Sequence, residues 1–294
     1  MVSGEWYGLS WMCSYNLTMP RDLTNKSIVI TGASAGIGAD TATACAAAGM
    51  DVVLGARREE KLEAVAGRVR EHGRRAVVVT CDVTRDEDVR ALFDRAWNEL
   101  GRVDALFANA GFGLVYPLLE TPTDRHREIF EVNYWGTVRT LDVGVPMLEQ
   151  TKGGLKHALI CSSAASEIGM PRHGPYAATK AAQDAIAGAL RAELHDRGVS
   201  VTSVHPVGTK TDFFDTAAAR SDRDRSEKKT PPGLMQSGEH VARTIVRALR
   251  KPRAEVWPSV PARFGLALCT AWPGFAAWVL RRHHRELVQR DTSD

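Results

Sequence analysis

The feature that most constrains this chain is a strict alternation of short apolar runs with longer, helix-like stretches that stop at glycine. Ser27-Ile28-Val29-Ile30-Thr31 runs into glycines and reads as a buried strand, and the alanine-rich stretch Ile37 to Ala48 reads as a helix stopped by Gly49. Asp51 to Gly55, Ala76 to Thr80 and Val103 to Asn109 read as further strands, with helices from Glu59 to His72 and Asp86 to Leu100 between them. No regular element is assigned from Ala110 to Lys156. The alternation then resumes with strands at His157 to Ser162 and Ser200 to His205 and helices at Tyr176 to Arg197 and Glu239 to Leu249, the last with Ser237 as N-cap. Strand and helix at this spacing predict an α/β fold with one doubly wound parallel sheet and helices on both faces. Ligands in that architecture bind beyond the carboxyl ends of the strands.

Length and charge exclude several other classes. The 294 residues, 44% hydrophobic and 25% charged, suit a globular protein. A net charge of +3, with no basic run interleaved with aromatics, argues against nucleic acid as a partner. Cys13, Cys45, Cys81, Cys161 and Cys269 form no C-x-x-C pair, so neither a disulfide framework nor a metal site is expected, and reduced thiols point to a cytoplasmic location. His173, His195 and His205 lack metal-like spacing and read as ordinary surface or loop residues.

The chain divides into an N-terminal extension (1–24), a catalytic domain (25–254) and a C-terminal apolar and basic tail (255–294). Met1 to Pro20 has no basic segment followed by an apolar run and does not read as a secretory signal. With Trp6, Tyr7, Trp11 and Tyr15 it is open to docking on the body, contacting a partner, or being a simple upstream extension.

The first strand enters Thr31-Gly32-Ala33-Ser34-Ala35-Gly36-Ile37-Gly38, a G-x-x-x-G-x-G turn opening a helix. Glycines there permit a tight turn and let backbone N–H groups approach a pyrophosphate, which the helix N-terminus favours. Gly32, Ser34, Ala35, Gly36, Ile37 and Gly38 are therefore candidate cofactor contacts. The second strand ends in Gly55-Ala56-Arg57-Arg58, where a site for NAD would carry an acidic residue for the ribose hydroxyl. Arg57 and Arg58 instead match a phosphate in charge and fork geometry, and NADP is the expected cofactor.

Tyr176 and Lys180 stand four apart on one expected helix and so share a face. A neighbouring ammonium favours the phenolate and lowers a tyrosine pKa, which suits proton exchange with a carbonyl or alcohol oxygen.

Taken in order, Thr31-Gly32-x-x-x-Gly36-Ile37-Gly38, Asn109-Ala110-Gly111, Asn133, Ser163 and Tyr176-x-x-x-Lys180 resemble the short-chain dehydrogenase/reductase family, over about Asn25 to Lys251. Ser163 lies thirteen residues before Tyr176, the spacing of that family's catalytic serine. The resemblance implies a Rossmann-type sheet, Tyr176 as general acid/base, and Ser163 on the substrate oxygen. It implies Lys180 on the nicotinamide ribose, depressing the Tyr176 pKa, and Asn133 holding a water that links Lys180 to solvent. Asn109, Ala110 and Gly111 would line the adenosine side, with Asp82 and Val83 at the adenine ring. For Asp82 a plain turn or helix-capping role stands as an alternative. The family's Pro-Gly after the sixth strand is His205-Pro206-Val207-Gly208 here, with Thr209-Lys210-Thr211 next. Val207 and Thr211 are the corresponding candidates at the nicotinamide end. Tyr134 and Trp135 read as helix-packing residues.

Asp212 to Gly238 is charged and contains proline and glycine, a natural place for a substrate lid. Phe264 to Leu280 carries no charged residue, is broken by Pro273-Gly274, and is followed by Arg281, Arg282, His283, His284 and Arg285. Two short helical pieces are expected. They either dock on the protein, over the pocket or at a subunit interface, or sit on a membrane surface with the basic cluster on anionic headgroups; docking on the protein is preferred. Both readings suit a hydrophobic small-molecule substrate. The resulting expectation is an NADP(H)-dependent oxidoreductase of carbonyls or secondary alcohols, homo-oligomeric and needing no metal. A catalytically silent NADP-binding sensor is the alternative. A nucleotide-sugar epimerase or dehydratase is disfavoured by the short chain after Tyr176.

Overall fold

The structure, a computed structural model, describes residues 19–210, 217 and 235–291. Thr211 and most of the expected lid lie outside the described residues, as do residues 1–18. Strands β1 (Ser27–Thr31), β2 (Asp51–Ala56), β3 (Ala76–Thr80), β4 (Ala105–Ala108), β5 (His157–Cys161) and β6 (Ser200–Val204) alternate with helices α1 (Gly36–Ala47), α2 (Glu59–Glu71) and α3 (Asp86–Leu100), then α4 (Thr123–Phe130), α5 (Gly136–Gln150) and α6 (Gly174–Glu193). Two-residue strands β7 (Thr209–Lys210) and β8 (Gln236–Ser237) pair with each other, in parallel, apart from the main sheet. Helix α7 (Gly238–Arg250), strand β9 (Glu255–Val256) and helices α8 (Val260–Ala271) and α9 (Pro273–Asp291) complete the order.

The main sheet has seven parallel strands in the order β3-β2-β1-β4-β5-β6-β9. Because successive side chains of a strand point to opposite faces, each strand feeds two cores. Ile28, Ile30, Val52 and Leu54 meet α1, α2 and α7 through Ala42, Cys45, Leu62, Val65 and Ile245. Val29, Val53, Leu106 and Ile160 meet α3, α5 and α6 through Leu92, Phe93, Leu141 and Ala187. Burying a side chain of the size of Phe107 or Leu106 stabilises the fold by about 1.5–3 kcal/mol. Chain order reverses between β1 and β4, and the crevice at their carboxyl ends is where such sheets bind ligands.

Three details differ from expectation. The segment left unassigned holds α4 and α5, joined through a five-residue π-helical turn at Glu131–Trp135 into one continuous rod. The sheet takes Glu255–Val256 as its last strand, so it extends past the boundary placed at residue 254. The end of the N-terminal extension is part of the body: Leu23 is buried, and Arg21 donates to the Leu155 carbonyl at 2.9 Å. The tail does break at Pro273 into two helices. Cys45, Cys81, Cys161 and Cys269 are buried free thiols, and burial pushes Cys45 and Cys81 up to about 12, which keeps them unreactive. Among the described residues no helix is long and apolar enough to cross a membrane.

Candidate active site

The glycine turn sits at the carboxyl end of β1, with Gly32 at φ +68° and Gly36 at φ +56°, both in the left-handed region. Gly38 opens α1 so close to the turn that a Cβ there would overlap the Gly32 carbonyl oxygen and come within 2.6 Å of Asn109 Nδ2. The turn is held from β4. Asn109 Nδ2 donates to the Thr31 and Gly32 carbonyls at 3.0 and 3.2 Å, and its backbone N–H donates to Thr31 Oγ1 at 3.1 Å. Asn109 thus braces the glycine turn. Ala110 N–H also reaches Thr31 Oγ1, at 3.3 Å. The side of Gly111 toward Asn133 and Lys180 is crowded, and a Cβ there would lie 3.0 Å from Asn133 Oδ1 and 3.7 Å from Lys180 Nζ.

Arg57 and Arg58 are exposed at the end of β2 beside this turn. Arg58 Nη2 donates to Ser34 Oγ at 3.1 Å, and Arg57 Nη1 lies 3.9 Å from Asp82 Oδ2. Asp82 uses Oδ1 to accept from Thr84 N–H and Thr84 Oγ1, at 3.0 and 2.9 Å, which makes it a turn residue as well as a neighbour of the crevice. Val83 is buried against Gly136 at the head of α5. The glycine cradle and the helix N-terminus fit the pyrophosphate of a nicotinamide dinucleotide.

The chemistry-bearing residues converge from three elements. Ser163 follows β5 and its Oγ accepts from Ala165 N–H at 3.1 Å; it is also hydrogen-bonded to Tyr176. Tyr176 enters α6 one turn before Lys180, whose Nζ lies 5.6 Å from the tyrosine ring centroid, so the two share a face. The electrostatics depart from expectation. Burial pushes the Tyr176 hydroxyl well above its ordinary value, and only the hydrogen bond with Ser163 opposes this. The Lys180 ammonium donates to the Cys161 carbonyl and Gln183 Oε1, both at 2.8 Å. Burial also pushes the pKa of Lys180 down.

Asn133 lies within the π-helical turn and is fully buried. Its Nδ2 donates to the Phe112 carbonyl and Thr179 Oγ1, both at 3.0 Å, and its Oδ1 accepts from Phe112 N–H at 2.9 Å. The wide turn carries the Gly136 N–H to the Glu131 carbonyl. The Asn133 carbonyl accepts side-chain donors instead, Thr137 Oγ1 at 2.8 Å and Gln183 Nε2 at 2.7 Å. Turns of this kind recur at functional sites. Gln183 is the residue that sequence reasoning missed. Its only local signal is an uncharged polar side chain three residues after Lys180, on the inward face of α6.

Val207 N–H meets Gln236 Oε1 at 3.4 Å, so the run after β6 is tied to β8. Phe112, Leu114 and Ile129 form a small apolar cluster against Tyr176. A cleft of about 590 Å³ is walled by Pro117, Leu118, Met170, Pro171, His284 and Val288, so α9 closes one side of it.

His205 is not the surface residue expected. It is 2% exposed and stacks on Trp257 at 4.3 Å between centroids. Its Nε2 lies 3.6 Å from Asp184 Oδ1, and Glu167, Asp184 and His205 offer ligand atoms within 4.8 Å of one another.

Comparison with known proteins agrees with this geometry. The short chain dehydrogenase family model matches residues 26–222, and the chain belongs to that family of oxidoreductases. It is 34% identical to 11-beta-hydroxysteroid dehydrogenase A of Sesamum indicum over 89% of this chain and 76% of that one. It is 37% identical to glycine betaine reductase ATRR of Emericella nidulans over 78% of this chain, but spans only 18% of that protein's length. Among solved structures, alcohol dehydrogenase from Thermococcus sibiricus complexed with 5-hydroxy-NADP is 30% identical, with a TM-score of 0.69, over 79% of this chain and 94% of that one. The family binds nicotinamide cofactors and acts on alcohols and carbonyls.

Proposed function

We propose that the protein is an NADP(H)-dependent oxidoreductase that reduces a hydrophobic carbonyl, or oxidises the matching secondary alcohol, with Tyr176 as general acid/base. The reading rests on one observation above the others: Ser163 is hydrogen-bonded to Tyr176 beside the apolar cluster of Phe112, Leu114 and Ile129. Two hydroxyls so placed can grip one substrate oxygen, Ser163 stabilising its charge and Tyr176 giving or taking the proton. Burial that keeps Tyr176 protonated suits it as the proton donor in the reducing direction. The cofactor, when bound, supplies or accepts the hydride. Gly32, Ser34, Ala35, Gly36, Ile37 and Gly38 would hold its pyrophosphate, Arg57 and Arg58 its ribose phosphate. Asp82, Val83, Asn109, Ala110 and Gly111 would border the adenosine, with Lys180, Val207 and Thr211 at the nicotinamide end.

Tyr176→Phe should abolish turnover in a carbonyl panel followed by NADPH oxidation, while NADPH binding is retained. Undiminished turnover would overturn the assignment. A silent NADP sensor, the alternative, predicts tight NADPH binding with no turnover in any member of the panel.

A further inference from the structure

We propose that α8 and the first half of α9 form a docking surface for an anionic lipid bilayer, lying in its headgroup region rather than crossing it. The surface is separate from the reaction proposed above and does not depend on it.

Val260, Phe264 and Leu268 recur every fourth residue along α8, which puts them on one face, and Trp272 caps its end; they are 59%, 72%, 50% and 67% exposed. Past the break at Pro273, Phe275 and Trp278 are stacked at 6.0 Å and both exposed. Single exposed apolar residues are ordinary on a protein surface, but six large ones on two consecutive helices mark a contact site. The helices are attached to the body by other positions. Cys269 and Ala276 are buried, and His284 and Val288 wall the cleft. The charge of His283 contributes to pushing His173 down to about 4, after burial as the main cause.

The charge pattern selects the occupant. Residues 260–285 contain Arg263, Arg281, Arg282 and Arg285 and no aspartate or glutamate. Arg263 lies 3.6 Å from Glu255, and Arg282 lies 3.4 Å from Glu286 and over the Trp278 ring at 6.0 Å. A second copy packed on this face would offer the arginines no acidic residue from residues 260–285. An anionic bilayer supplies both complements, acyl chains for the apolar stripe and negative headgroups for the arginines. Tryptophans 272 and 278 have the amphipathic ring that prefers the lipid–water boundary. Lying in the interface also accords with helices neither of which is both long and apolar enough to span.

The test is cosedimentation of the full chain with vesicles of phosphatidylcholine alone or with phosphatidylserine added. Binding to the anionic vesicles should exceed binding to the neutral ones by about tenfold and weaken in high salt. Arg281→Gln with Arg285→Gln should reduce it to the neutral-vesicle level. Phe264→Ser with Trp272→Ser and Trp278→Ser should remove it from both, at an unchanged melting temperature. No binding to either vesicle would overturn the proposal. So would a wild-type dimer that the apolar triple variant dissociates without vesicle binding in either protein, which would assign the face to a second copy. Vesicle binding is read without turnover, so its failure is distinct from failure of the proposed reaction.

Discussion

Gln183 Nε2 donates to the backbone carbonyl of Asn133 at 2.7 Å, while the Oε1 of the same amide accepts from Lys180 at 2.8 Å. One side chain therefore joins the π-helical turn to the lysine. A second donation at 2.6 Å, to Thr137 Oγ1, fixes which way the amide faces. Every polar atom of Gln183 is thus committed in a buried setting, where an unmade hydrogen bond costs about 1–3 kcal/mol.

Gln183→Leu should therefore leave the ammonium of Lys180 short of an acceptor and the Asn133 carbonyl short of a donor. The expected result is about a tenfold loss of kcat, or about 1.4 kcal/mol, with little change in KM and a displaced limb of the pH–rate profile. Gln183→Glu, which restores an acceptor, should recover part of kcat. A lower kcat with an unshifted pH profile would reduce Gln183 to a packing role.

Arg58→Ala and Arg57→Ala each remove a candidate partner of the cofactor's extra phosphate. Loss of one charge-assisted hydrogen bond costs about 1.5–3 kcal/mol, so the Kd for NADPH should rise by about 10- to 100-fold. NADH binding should be almost unchanged. Equal weakening for both nucleotides, or for neither, would contradict the role given to the arginines.

Gly38→Ala tests the turn. The added methyl would overlap the Gly32 carbonyl and crowd Asn109, and backbone atoms cannot swing aside as a flexible side chain would. Urea unfolding should show a loss of about 3 kcal/mol, the upper part of the range for overpacking. NADPH binding should disappear with it. Native-like stability together with native-like binding would mean that the turn has room that the geometry denies it.

Acid stability should depend on His157. Burial pushes its imidazole down to about 3, and its Nε2 is spent on Thr202 Oγ1 at 2.8 Å. The folded-state pKa lies below the unfolded value of about 6.5, so protons favour the unfolded chain, and the stability present at pH 7 falls as pH drops from about 6.5 toward 3. The loss attributable to this group between pH 7 and 5 is about 2 kcal/mol. Unfolding curves at the two pH values for wild type and His157→Asn measure it, and the variant should lose less. Identical losses would remove His157 from the account.

What was legible in the sequence follows from what is local. The first strand, its glycine turn and α1 were readable because a buried run, positive-φ glycines and an alanine helix lie side by side in the chain. The break of the tail was readable from Pro273, which cannot continue the preceding helix. The α4–α5 rod was not, because its reasons are distant. Gly144 sits inside α5, where a Cβ would come within 2.6 Å of Phe93 Cζ on α3. Residue spacing placed Tyr176 and Lys180 on one face but could not tell where the ammonium points, which Cys161 and Gln183 decide. His205 looked like a loop residue until β6 and Trp257 enclosed it. Thr211 and most of the Asp212 to Gly238 segment lie outside the described residues.

The pairing of Thr209 with Gln236 and of Lys210 with Ser237 has a consequence for how such a protein can change. Lys210 and Gln236 stand at adjacent points, fixed by backbone hydrogen bonds and by Val207 on Gln236. The entropic cost of joining two points of a chain grows only slowly with the length between them, by about 0.6 kcal/mol for each doubling. The register of Thr209 on Gln236 and of Lys210 on Ser237, rather than the number of residues between them, is then what holds the two ends together.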